Sequence, residues 1–277
     1  MTQLSELRDG LSSARAEADH TIVDAIRPEI GGGRFTPADM RKIAERPDAT
    51  TLWVSGLDQT TFEELVSLHG SQFTAVSFWK CPRIADLTPL ESLPNLELVS
   101  FFWNQRATRL WDLTKTPDLT GLRLEHFTRL HDLADLALGT SLVELAIQDG
   151  VWPACVFETL DPLAELRDLR SLEFGAKRIE DGRVEPLGAL RGLRSLVLRP
   201  GQFTIAQLAW LRARLPDSLQ SRAVEPIWDM QFGDVTLNGK GGRHLDSARD
   251  AKRIQKHVDG FNRMVAEFRA NPDLLAD

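Results

Sequence analysis

The apolar residues of this chain recur as a triplet, apolar-x-x-apolar-x-apolar, through the middle of the sequence. It reads Leu96-x-x-Val99-x-Phe101, Leu119-x-x-Leu122-x-Leu124, Leu142-x-x-Leu145-x-Ile147, Leu169-x-x-Leu172-x-Phe174 and Leu193-x-x-Leu196-x-Leu198. Upstream stand Phe73-x-x-Val76-x-Phe78 and a weaker Ala49-x-x-Leu52-x-Val54. The central member falls at 52, 76, 99, 122, 145, 172 and 196, in steps of 24, 23, 23, 23, 27 and 24. Its last two apolar positions are two apart, the period of a strand, so both point to one face. The leucines that follow, such as Leu87, Leu90 and Leu93, are spaced by three and suit a short 3₁₀ turn. Pro89, Pro162 and Pro186 stand at the start of such turns, where a missing N–H costs little. One rung of this kind cannot bury its apolar edge alone, whereas stacked rungs share a continuous core. The pattern therefore predicts about seven parallel strands, roughly 4.8 Å apart.

The ends do not repeat. Residues 1–30 read as a helix with Leu4, Leu7, Leu11, Ala14, Ala18, Ile22 and Ile26 on one face, broken at Gly31-Gly32-Gly33. A capping signal at Thr36-Pro37-Ala38-Asp39 opens a second helix, and a third follows Thr61-Phe62-Glu63-Glu64. These cover the open end of the stack; the other reading of Leu4 to Ile26 is a dimerising helix. Beyond Leu198, Thr204-Ile-Ala-Gln207 opens a helix that stops at Pro216. One or two strands lie within 223–238, and 239–242 forms a turn. A last helix starts at Ser247-Ala-Arg-Asp250 with Ile254, Val258, Phe261, Val265 and Phe268 on one face. The expected division is a helical N-terminal cap over 1–48, repeats over 49–201, and a C-terminal helix-and-strand cap subdomain over 202–277.

The segment Ile84-Ala-Asp-Leu87-Thr-Pro-Leu90-Glu-Ser-Leu93-Pro-Asn-Leu96-Glu-Leu-Val99-Ser-Phe101 resembles one turn of the short, bacterial internalin-type leucine-rich repeat. The resemblance covers about residues 49 to 200. It implies an α/β leucine-rich-repeat solenoid, a curved parallel sheet whose concave face binds proteins. The family places Asn three residues after the last strand leucine, with its side chain on the turn backbone. Here that column reads Leu57, Cys81, Asn104, Phe127, Gly150, Lys177 and Gly201; only Asn104, and Cys81 as a substitute, fit, so the resemblance implies an irregular inner ladder. The N-terminal residues carry charge where the secretion signal of the internalins would be apolar, and a cytoplasmic location is the expectation.

Composition narrows the chemistry. The chain has 277 residues and a net charge of -7, which makes nucleic acid and anionic membrane poor partners for it as a whole. There is no apolar run of about 18 residues, so no membrane span is predicted. Two cysteines fit no disulfide framework. Gly239-Lys240-Gly241-Gly242 lacks the Ser or Thr that would follow the Lys of a phosphate loop. His126 and His131 are short of further metal ligands, Cys81 and Cys155 stand apart, and no nucleophile elbow occurs. A non-enzyme without metal or cofactor is expected, and no small-molecule substrate is indicated.

The best functional candidates flank the buried strand positions and so line the concave face. They are Trp53, Trp79, Phe102 and Trp103 on the early rungs, with Arg123, Glu125, Glu144, Gln148, Glu173 and Arg199 on the later ones. Trp152 joins them from the insertion that lengthens one repeat to 27 residues. Aromatic and Arg side chains are the usual anchors of protein interfaces. The function this predicts is a non-catalytic module that binds a macromolecular partner, most simply a protein, as an inhibitor or immunity-type protein, an adaptor or a scaffold. Two alternatives use the C-terminal subdomain. One is an active site around Asp229, Asp234, Lys240, Arg243 and His244. The other is phosphate or nucleic-acid binding by the helix region 239–269, which carries a net +4 on an otherwise acidic chain.

Overall fold

The computed structural model describes Leu4 and residues 22–149, 154–219, 221–229 and 233–275. Its body is an eight-stranded sheet, all parallel and nearly in chain order. The strands are β1 (Ile22–Ala25), β2 (Thr51–Ser55), β3 (Ala75–Trp79), β4 (Leu98–Asn104), β5 (Gly121–Phe127), β6 (Glu144–Gln148), then β7 (Val156–Phe157) in a separate small sheet, β8 (Ser171–Phe174), β9 (Arg178–Ile179) paired with β7, and β10 (Ser195–Leu198). In the main sheet the register runs Val23, Leu52, Val76, Val99, Leu122, Leu145, Leu172, Leu196, each paired to the next. The column read from the sequence is thus one row of neighbours across the sheet, and its members are buried. This is the leucine-rich-repeat solenoid.

One strand was not expected. Residues 22–25 form β1 rather than the end of a helix, and β1 pairs with β2. The first rung would otherwise present a bare row of N–H and C=O groups. Two β-branched residues, Ile22 and Val23, suit a strand there. Val23 and Ala25 enter the core while Ile22 and Ile26 lie on the opposite face. The sheet therefore begins inside the segment read as the N-terminal cap.

The connections follow local chemistry. Between the early strands lie two helices, α1 (Pro37–Ala44) and α2 (Gln59–His69). Thr36 and Asp39 close a capping box on α1, and Asp58 with Thr61 closes one on α2, so α2 starts before the Thr61 signal. From the third rung onward the returns shrink to 3₁₀ turns, with Pro89, Pro162 and Pro186 at their starts. Phe62, Phe78, Phe101 and Phe127 form a spine of ring contacts through the core from α2 to β5.

The turn ladder is irregular, as the residue column implied. Asn104 plays the family's part: its amide donates to the Ile84 carbonyl at 2.9 Å and accepts from the N–H groups of Arg106 and Ala107 at 3.0 and 2.9 Å. At the longer repeat Asp149 takes over, accepting from Ala154 and Cys155 N–H at 3.0 Å each. Asn104→Ala should strand two buried polar groups, the Ile84 carbonyl and the Ala107 N–H, and cost about 2 kcal/mol, since each orphaned group carries a desolvation penalty. Chemical denaturation would show it, and a variant as stable as the wild type would contradict this role.

At the far end α3 (Ile205–Arg214) and α4 (Ala251–Ala270) pack together, with Phe261 and Phe268 buried. A hairpin of β11 (Ile227–Asp229) and β12 (Asp234–Leu237) gains an unforeseen third strand, β13 (His244–Asp246). The open edge of β10 is blunted by Ser221, whose hydroxyl donates to the Leu196 carbonyl at 2.5 Å.

Candidate functional site

Because side chains alternate along a strand, the positions between and after the buried pair share the concave face. One row there pairs Trp53, Ser77, Ser100, Arg123, Ala146, Glu173 and Val197. The adjacent row runs Ser55, Trp79, Phe102, Glu125 and Gln148, and Gly175 and Arg199 continue it.

Parallel pairing in register places equivalent side chains one strand spacing apart, which suits ring stacking. Trp79 and Phe102 accordingly stack at 4.2 Å with planes 19° apart. Phe102 meets Trp103 edge-on at 6.5 Å, and Trp103 meets His126 edge-on at 5.9 Å. Trp79, Phe102, Trp103 and His126 are all half-buried. At the strand ends the backbone turns through left-handed residues: Gly56 (φ 74°), Lys80 (50°), Trp103 (66°) and His126 (62°). Each non-glycine residue there costs about 1–2 kcal/mol in backbone strain. Ring contacts offset part of it at Trp103 and His126, and Lys80 sets its ammonium 5.7 Å from the Trp79 ring centre.

Beyond the aromatics lies a charged group. Arg123 reaches over the small side chain of Ala146, its neighbour in the row, and donates to Glu173 at 2.9 Å. Gln148 donates to the same carboxylate oxygen at 2.9 Å, and Glu125 stands 3.9 Å from the Arg123 guanidinium. Arg123 and Glu125 are buried, so they support this surface more than they expose charge. Among the described residues, several buried donors beside the rings lack acceptors: the indole N–H groups of Trp79 and Trp103, and Nε and Nη1 of Arg123.

The remaining sequence candidates are placed differently. Trp53 is only 2% exposed, packed with Ala75 beneath Ile22 and Ile26, so it is internal rather than solvent-facing. Leu4, likewise buried, lies near Gly121 and Leu98 on the same face. The early concave rows are therefore partly covered by the N-terminal part of the chain, which is where the aromatic residue Trp53 goes. Glu144 and Arg199 are exposed on the later rungs, and Trp152 lies outside the described residues.

Neither cysteine is poised as a nucleophile. Cys81 is buried and its thiol is pushed up to about 12 by desolvation. Cys155, bonded to the Phe127 carbonyl at 3.2 Å, is raised further by burial and by Asp149. His131 contacts the Val156 carbonyl at 2.7 Å, whereas His126 lies on Trp103. In the C-terminal subdomain Lys240 lines a cleft that Asp234, Arg243 and His244 do not line, and His244 bonds the Thr236 hydroxyl at 2.8 Å. Sequence reasoning missed that cleft, because Lys177 and Arg178 lie more than sixty positions from Lys240 in the chain. Among the described residues, no helix is long and apolar enough to cross a membrane.

Comparison with solved structures finds partial likenesses. Internalin C2 of Listeria monocytogenes is similar with a TM-score of 0.45 and 24% identity, over 57% of this chain and 65% of that one. A leucine-rich-repeat protein of Leptospira interrogans has a TM-score of 0.44 and 14% identity, over 76% of this chain and 56% of that one. TLR13, in a complex with ssRNA13, has a TM-score of 0.46 and 15% identity, over 72% of this chain and 32% of that one. The chain thus spans less than two thirds of the length of each. No protein-family model and no curated protein sequence matches the chain. Its rungs of strand, turn and 3₁₀ return, 23 to 27 residues long, have the form of a leucine-rich repeat.

Proposed function

We propose that this chain is a non-catalytic recognition module that binds another protein on the concave face of the solenoid. The reading rests on one observation: Trp79 and Phe102 stack at 4.2 Å, and both stay partly exposed on a face held by paired strands. Rigid strands hold the rings in place, so little ordering entropy is lost when a partner docks. Phe102 and Trp79 are the anchors, Trp103 and His126 extend the aromatic patch, and Gln148, Glu173, Glu144 and Arg199 set orientation. Inhibition, adaptor work and scaffolding all use this surface in the same physical way.

The test is affinity capture from the native cell extract with wild-type protein and with a Trp79→Ala/Phe102→Ala double variant. Anchor residues of this type carry 2 kcal/mol or more, so the double variant should lose at least about thirtyfold in affinity for the captured protein. Its melting temperature should fall by only a few degrees, because both rings are half-exposed. A folded double variant that captures the same protein undiminished would refute the reading.

A further inference from the structure

A cleft of about 380 Å³ opens where the last rungs meet the C-terminal subdomain. Four cationic side chains line it, Lys177, Arg178, Arg199 and Lys240, and no carboxylate does among the described residues. That is the reverse of the whole chain, whose net charge is -7. We propose that this cleft binds a small ligand bearing a phosphate or diphosphate group.

The argument is electrostatic. All four side chains are exposed, and like charges gathered in one concavity repel while the concave wall focuses the field they make. Folding tolerates such a group at less cost when an anion completes it. Two of the four are uncommitted: the ammonium groups of Lys177 and Lys240 have no hydrogen-bond or ion-pair partner among the described residues. Arg178 is held by Glu180 at 3.0 Å, and Arg199 spends Nη1 on the Ala176 carbonyl at 3.2 Å. Both guanidinium groups keep further N–H donors, which suit tetrahedral oxyanions.

The wall is preorganised. Lys240 is pinned by its backbone N–H to the Phe203 carbonyl at 2.7 Å. Gln202 accepts from Ala176 N–H at 3.0 Å, and Gln207 donates to the Gly182 carbonyl at 2.7 Å while capping Thr204. Gly182 and Gly201, both left-handed, keep the rim open, with nothing within 4 Å of where a Cβ would stand. The volume exceeds that of an isolated phosphate and lies in the range of small-ligand sites. Only Arg199 is shared with the concave-face reading, so either can fail without the other.

The experiment is calorimetric titration of the full chain with inorganic pyrophosphate, then with ADP, at low and moderate salt. Pyrophosphate should bind at one site and weaken at least about tenfold between roughly 50 and 200 mM salt. A Lys177→Gln/Lys240→Gln double variant should lose at least about tenfold in affinity with its melting temperature unchanged. Lys252→Gln/Arg253→Gln, in the exposed first turns of α4, should bind as the wild type does. ADP tighter than pyrophosphate assigns a nucleotide body; equal affinity assigns the phosphate group alone. The proposal is overturned if pyrophosphate fails to saturate, if the α4 variant loses as much as the cleft variant, or if an oligoglutamate peptide binds where pyrophosphate does not.

Discussion

Replacing Phe101 by Ala is expected to destabilise the chain by about 3–5 kcal/mol, the cost of emptying an aromatic site in a packed core. Phe101 is 1% exposed, stacks on Phe78 at 4.5 Å and meets Phe127 edge-on at 5.6 Å. Phe78 in turn meets Phe62 of α2 at 5.5 Å, so the ring lost is an inner link of the spine. Parallel strands on either side are fixed by their hydrogen-bond ladders and cannot collapse into the void. In a solenoid each rung is stabilised mainly by its neighbours, so the damage also weakens the coupling between the early and late rungs. A denaturation transition that broadens as well as shifts is the expected form. Phe101→Leu, which keeps most of the volume, should cost under about half as much. A loss below about 1 kcal/mol for the Ala variant would show that the spine is not structural.

Gly56→Ala should be the most damaging small change outside the core, at about 2–4 kcal/mol. Gly56 follows β2 with φ at 74°, and an added Cβ would stand 2.8 Å from the carbonyl oxygens of both Gly32 and Gly33. The left-handed conformation alone costs an alanine about 1–2 kcal/mol. The rest is collision with backbone that cannot rotate away. Gly182→Ala separates the two contributions, because Gly182 has φ 66° and open space around it. It should lose only the conformational part. Equal melting temperatures for the two variants would mean that the segment bearing Gly32 and Gly33 is not packed against β2 as described.

How far the sequence foretold this depends on whether the cause was periodic. The buried column from Leu52 to Leu196 and the concave rows beside it follow from a period of two repeated at fixed steps, and both were legible. The 3₁₀ returns were marked by Pro89, Pro162 and Pro186, and the caps of α1 and α3 by Thr36-Pro37 and Thr204-x-x-Gln207. What escaped was non-periodic or non-local. Ile22 to Ala25 continues a helical spacing, yet the exposed edge of β2 recruits it as a strand. The burial of Trp53 comes from Ile22 and Ile26, some thirty residues upstream, and no pattern at Trp53 announces them. Left-handed Lys80, Trp103 and His126 were hidden because sequence signals that conformation through glycine. The basic cleft was hidden because its cations converge only when the last rungs meet the hairpin.

The stacking of the rungs in phase is what every surface described above depends on, and methyl–methyl nuclear Overhauser effects measure it most directly. With Val and Leu methyl groups labelled, strong cross-peaks should link Val76 to Val99, Val99 to Leu122 and Leu122 to Leu145, each one strand spacing apart. None should link Val76 to Leu145. Missing successive peaks in a folded sample, or pairings offset by one or more residues, would contradict the account.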